Sequence, residues 1–152
     1  MTDMKLRKLV LAALFAALCT VMTMVIQVPS PMQGYVNLGD CAVLLSAWVL
    51  GPWYGGAAAG LGSMLADLLS YPHYAPGTLV IKFLDAMAAA LVVKALGKGY
   101  VSYIVGGVVG EAIMVAGYFA YVFAAIIYFC INYPASKAIE AIERRMRRGD
   151  KQ

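Results

Sequence analysis

Five ionisable residues interrupt otherwise apolar stretches of this chain: Asp40, Asp67, Lys82, Asp85 and Glu111. Each such residue costs roughly 2.5–3.5 kcal/mol at the centre of a membrane helix, so it normally faces a cavity or a partner. Lys82 and Asp85 stand three residues apart, on one helical face, and can neutralise each other. Asp67 can instead pair with Lys82. Glu111 has no basic residue near it in the sequence, which makes it the strongest single hint of a site. Aromatic residues fall towards the same end of the expected bundle: Tyr35, Tyr71, His73, Tyr74, Tyr118 and Tyr121, beside Asn37. An interfacial aromatic belt accounts for part of that pattern. The coincidence of rings, carboxylates and an amide also suits a flat ligand, stacked between tyrosines and hydrogen-bonded at its edge. The chemistry is that of binding a small, polar, aromatic nutrient from outside.

Catalysis finds little support. There is no G-x-x-x-x-G-K-[ST], and Gly97-Lys98-Gly99 lacks the following hydroxyl, so the chain is not expected to hydrolyse nucleotide. H-E-x-x-H and G-x-S-x-G are absent, and His73 is the only histidine. Cys19, Cys41 and Cys130 lie far apart in apolar sequence, with no C-x-x-C pair, so neither a metal nor a disulfide framework is expected. No cofactor is implied and no residue is assigned a catalytic role. Two other classes stay open: a small membrane enzyme acting through buried carboxylates, and a proton-coupled carrier using Glu111.

The elements that must position these residues are membrane spans. Of the 152 residues 62% are hydrophobic and 13% charged, against about 45–50% and 25% in soluble domains. An all-α integral membrane protein follows, as a single transmembrane domain over residues 1–152. A span takes about 20 apolar residues. Leu9–Val28 supplies one, and with no small-residue cleavage site it reads as a retained helix rather than a signal peptide. Pro29–Asp40 reads as a loop. Cys41–Leu50, Ala57–Leu69 and Thr78–Val93 follow, separated by Gly51–Gly56 and Tyr71–Pro76. Lys94–Gly99 closes the fourth span.

Basic residues set the orientation. Lys5, Arg7, Lys8, Lys94 and Lys98, and the cluster Arg144, Arg145, Arg147, Arg148 and Lys151, all belong in the cytoplasm beside anionic lipid. The net charge of +4 is therefore assigned to the lipid bilayer and not to nucleic acid. Both termini then lie inside, which requires two spans between Val101 and Ile142 and a six-transmembrane-helix bundle. No Gly or Pro occurs between Gly117 and Pro134 to mark the reversal.

Small residues bring membrane helices close. Gly51/Gly55, Gly56/Gly60 and Gly106/Gly110 suit packing inside the bundle. Ala12/Ala16 and Ala13/Ala17 lie on a peripheral first helix, where a surface for a second membrane protein is as natural as internal packing. No repeat of two halves suggests a self-sufficient secondary transporter, so other subunits are expected.

Several runs carry a resemblance. Tyr35-Val36-Asn37-Leu38-Gly39-Asp40, the Leu50-Gly51-Pro52 turn, Gly60-Leu61-Gly62-Ser63-x-x-Ala66-Asp67-Leu68, Tyr74-Ala75-Pro76-x-Thr78-Leu79-x-Ile81-Lys82 and Gly110-Glu111-Ala112-Ile113-Met114-Val115-x-Gly117-Tyr118-Phe119 stand in this sequence. They resemble the substrate-binding S component of energy-coupling factor (ECF) vitamin transporters, in the branch with hydroxymethylpyrimidine-, pyridoxine- and riboflavin-type members. The resemblance runs from residue 5 to about 121. It implies a six-helix bundle in the plasma membrane that captures a vitamin or precursor outside. It also implies docking to a membrane coupling subunit and two cytoplasmic ATPases, through the alanines Ala12, Ala13, Ala16 and Ala17. In such transporters the S component topples to release substrate inward. The ligand would be held by the Tyr35–Asp40 loop and by polar residues of later helices. The expected site thus comprises Tyr35, Asn37, Asp40, Asp67, Tyr71, His73, Tyr74, Lys82, Glu111 and Tyr118, with no metal. The sequence departs from the family after Tyr121, where Val122–Cys130 runs straight into Asn132-Tyr133-Pro134.

Overall fold

A backbone in lipid must satisfy its polar groups internally, and apolar runs of this length do so as helices. The computed structural model describes residues 2–25, 27–29 and 35–149. It has α1 over Thr2–Val25, α2 over Gly39–Ser70, α3 over Ala75–Leu96 and α4 over Tyr100–Gly149. Within the expected Pro29–Asp40 loop the chain forms β2 (Tyr35–Asn37), which pairs antiparallel with β1 (Gln27–Pro29), Val28 opposite Val36. The all-α expectation therefore holds apart from this short ladder.

Within α2 the helix breaks at Gly51, where φ is 80° and ψ is −177°. Only glycine enters that region without strain, and Pro52 then starts the next helical turn with its fixed φ. Ser46 Oγ donates to the carbonyl of Gly55 at 3.1 Å, although nine residues separate them. A straight helix would hold those residues about 13 Å apart. The chain therefore doubles back. Ala42, Val43 and Ala47 before the bend share a core with Ala59 after it. The separate expectations for Cys41–Leu50 and Ala57–Leu69 correspond to residues 39–50 and 52–70 of one bent element.

Small residues set the spacing of the neighbours. Thr20 Oγ1 donates to the carbonyls of Ala16 and Gly62, at 2.9 and 2.8 Å, tying α1 to α2. A side chain at Gly62 would run into Ala16 and Cys19. Against α3, a Cβ at Gly60 would sit 2.7 Å from the carbonyl oxygen of Leu79. Against α4, a Cβ at Gly106 would lie 2.8 Å from that of Ala89. Trp48 of α2 meets Tyr103 of α4 edge to face at 5.3 Å. Residues 39–50, α3 and the start of α4 thus converge on one another.

The described chain forms two compact units, Met1–Tyr118 and Phe119–Gln152. The contacts above belong to the first. The second holds the remainder of α4, whose described side chains are almost all exposed. Phe119 stacks on Phe123 at 6.3 Å and Phe129 on Tyr133 at 5.6 Å, while Glu140 pairs with Lys137 and Arg144. The reversal expected between Val101 and Ile142 is not present. One 50-residue helix passes through, so with α2 bent into two segments the described residues hold five helical segments and not six. The reason is local: nothing between Gly117 and Pro134 disfavours helix, and Pro134 is accommodated within it. Among the described residues three helices, α1, α2 and α4, are long and apolar enough to cross a membrane.

Gly51→Ala is expected to destabilise the chain although nothing lies within 4 Å of the new methyl, because φ at this position is +80°. The cost should be about 1–3 kcal/mol. A thermal midpoint in detergent unchanged from wild type would contradict the glycine's role in the bend.

Candidate functional site

The polar residues of α3 fall on one face. Thr78, Lys82 and Asp85 recur at helical spacing, covering about 10 Å of helix, and all three are buried. A buried donor, cation or carboxylate must be met by neighbouring elements, and each of the three faces a different set. Thr78 donates to the Asp67 carboxylate of α2 and lies 2.9 Å from the Tyr118 hydroxyl of α4. Lys82 donates to Asp40, at the start of α2, and also points at the Met114 sulfur of α4. Asp85 has its Oδ2 3.8 Å from Lys82 Nζ, an ion pair too long to be a hydrogen bond.

Register explains this order. α3 and α4 are antiparallel neighbours joined at Gly97–Gly99, so 78 meets 118, 82 meets 114 and 85 meets 110. Gly110 lies so close to Asp85 that any Cβ would collide with its carboxylate. Glycine at that position lets α4 close over α3. Glu111 stands beside it, only partly buried, and Asp40 and Lys82 act on it electrostatically.

The structure thus gathers Asp40, Asp67, Lys82, Glu111 and Tyr118 in the first unit. Tyr71, His73 and Tyr74 form the turn between α2 and α3, one helical turn beyond Asp67. The Tyr71 amide donates to the Asp67 carbonyl at 2.6 Å. His73 lies 4.4 Å from the ring of Tyr74 and 6.2 Å from that of Tyr71. Tyr35 and Asn37 are placed by their backbone in β2, and their side chains lie outside the described residues. The alanines divide. Ala12 is buried and Ala16 packs with it against Leu50 and Ala58, whereas Ala13 and Ala17 are exposed. Asp85, Thr78 and Met114 complete the site beyond the expected set. Thr78 had a legible signal, a hydroxyl four residues before Lys82 on the same face. Met114 had none.

The arrangement can hold a small ligand by ionic and hydrogen-bonding contact next to aromatic surface. Among the described residues no group of three His, Cys, Asp or Glu side chains comes together in a way that could hold a metal ion.

A family model described as "ECF-type riboflavin transporter, S component" matches residues 3–142. A protein of Pyrococcus woesei, described as an uncharacterized protein in a gap 3' region, is 43% identical over 103 residues, 65% of this chain and 67% of its own length. A solved structure described as "Structure and mechanism of the S component of a bacterial ECF transporter" shares the fold, with TM-score 0.59 and 20% identity over 82% of this chain and 77% of that one.

Lys82→Met should destabilise the chain strongly, because it leaves Asp40 and Asp85 without their cation. Removing one partner of a buried pair costs about 3–5 kcal/mol. Adding Asp40→Asn to Lys82→Met should recover part of that loss in detergent thermal unfolding. A double variant no more stable than Lys82→Met would show that the Asp40 pairing is not what holds Lys82.

Proposed function

This chain belongs to the family of ECF-type riboflavin transporter S components, and from that membership we propose that it captures a small aromatic vitamin or vitamin precursor and hands it to an ATP-driven energy-coupling module. It is a transporter subunit and not an enzyme. The observation that carries the reading within the structure is the polar face of α3, where Thr78, Lys82 and Asp85 are met by Asp67, Asp40 and Tyr118 inside apolar helices. So much buried polarity is costly, and a binding role accounts for it.

In this reading Asp40, Asp67, Lys82, Glu111 and Tyr118 contact the ligand, with Tyr35 and Asn37 of β2 and the Tyr71–Tyr74 turn closing the outer side. Riboflavin is the substrate the family description names. Pyridoxine and hydroxymethylpyrimidine are the other rings such a site suits, since all stack on tyrosine. The chain sits in the plasma membrane as a single multi-pass domain with both termini cytoplasmic, placing its basic ends beside anionic lipid. A six-span arrangement requires the second half of α4 to turn back. Two cytoplasmic ATPases supply the energy. Ala13 and Ala17, exposed on α1, are the alanines available to the coupling subunit, with Ala12 and Ala16 setting the helix's inner face.

The purified chain in detergent should bind a B-type vitamin or pyrimidine precursor tightly without nucleotide, by calorimetry or ligand-induced fluorescence change. No binding by riboflavin, pyridoxine, thiamine or hydroxymethylpyrimidine would overturn the reading. Ala13→Leu and Ala17→Leu should abolish co-purification with the coupling module and cellular uptake while sparing binding. Retained co-purification would remove α1 from the coupling surface.

A further inference from the structure

The buried charges around α3 do not balance. Asp40, Asp85 and Glu111 surround Lys82, the one cation ion-paired within this group among the described residues: three carboxylates against one ammonium, a formal excess of two negative charges. The ammonium is already committed, to Asp40 and to the Met114 sulfur. Asp85 is left over. Its side chain is fully buried, neither of its carboxylate oxygens has a hydrogen-bond partner among the described residues, and the nearest cation stands 3.8 Å away. An unmet carboxylate in an apolar interior is among the least favourable groups a fold can carry. Something is expected to meet it.

We propose that the ligand of this site carries a positive charge, as a nitrogen heterocycle with a protonated amino or quaternary ring nitrogen, and that Asp85 and Glu111 receive that charge. The proposal rests on the substrate-binding reading above and narrows it. A metal ion is a poor fit, since the carboxylates are not clustered as a ligand set. An organic cation needs no such cage. It needs no coordination geometry, and separate acceptors along α3 and α4 suffice. The aromatic surface is at hand, because Tyr118 lies one helical turn from Met114 and is anchored by Thr78. The Asp40 side chain is 23% exposed and Glu111 is only partly buried, whereas Asp85 is fully buried.

The test uses a matched pair of probes on the full chain in detergent. Pyridoxamine carries an ammonium on its aminomethyl arm at neutral pH, and pyridoxine has a hydroxymethyl group in its place. Pyridoxamine should bind at least about tenfold more tightly, the scale of one charge-assisted hydrogen bond. Asp85→Asn, which keeps shape and removes charge, should erase most of that preference. Glu111→Gln, at a more exposed position, provides the same readout if Asp85→Asn does not fold. Equal affinity for the two probes, tighter binding of pyridoxine, or a preference untouched by the variants would overturn the proposal. Riboflavin bound tightly with no cation preference would overturn it while leaving the transporter reading intact. Failure of every vitamin probe would overturn both.

Discussion

A lysine ammonium inside a bundle of apolar helices must be met by negative charge, and it cannot be met by its own helix alone. Lys82 imposes that requirement here. Its ammonium takes Asp40 from the start of α2, lies 3.8 Å from Asp85 one turn along α3, and touches Met114 of α4. Three segments distant in sequence are therefore held in one register by one group. Around it the apolar residues are small, with Ala42, Ala47, Ala59, Ala86, Ala89 and Ala90 forming the core. In lipid, hydrophobic exclusion gives helices little reason to associate, so close packing and interior polar contacts do that work. The same contacts that hold the bundle also form the candidate site.

That double role explains the glycines near it. Gly110 brings α4 against the Asp85 carboxylate, and Gly106 brings it against the Ala89 carbonyl. A methyl group at either place would push α4 away and lengthen every contact from Tyr118 to Lys82. Gly51 acts differently, through its backbone. Its positive φ turns α2 back on itself, which carries Asp40 to the level of Lys82 and Asp67 to the level of Thr78.

Much of this was legible in the residues. The intrusion of Asp40, Asp67, Lys82 and Glu111 into apolar sequence marked them as interior or functional, because exposure to lipid is unfavourable. Gly51-Pro52 announced a break in α2. What the sequence could not supply was pairing across long separations. Asp40 meets Lys82 across 42 residues, and nothing local distinguishes that partner from Asp85 or Asp67. The alanine pairs on α1 were equally ambiguous. Adjacent rows of small residues look alike, and only packing against Leu50 and Ala58 turns Ala12 and Ala16 inward. The end of α4 failed for the opposite reason. Charge placement required a reversal, but reversal needs a breaking residue, and the interval from Tyr118 to Tyr133 has none.

In the proposed function the polar face of α3 exists to hold a small heterocyclic ligand and not merely to join helices. Native mass spectrometry of the chain purified from its own membranes addresses this most directly. The spectrum should show one small heterocyclic molecule bound per chain, released on unfolding, and lost when Thr78, Asp85 and Glu111 are changed together to Val, Asn and Gln. A chain that carries only lipid, or keeps the same small molecule in the triple variant, would contradict it.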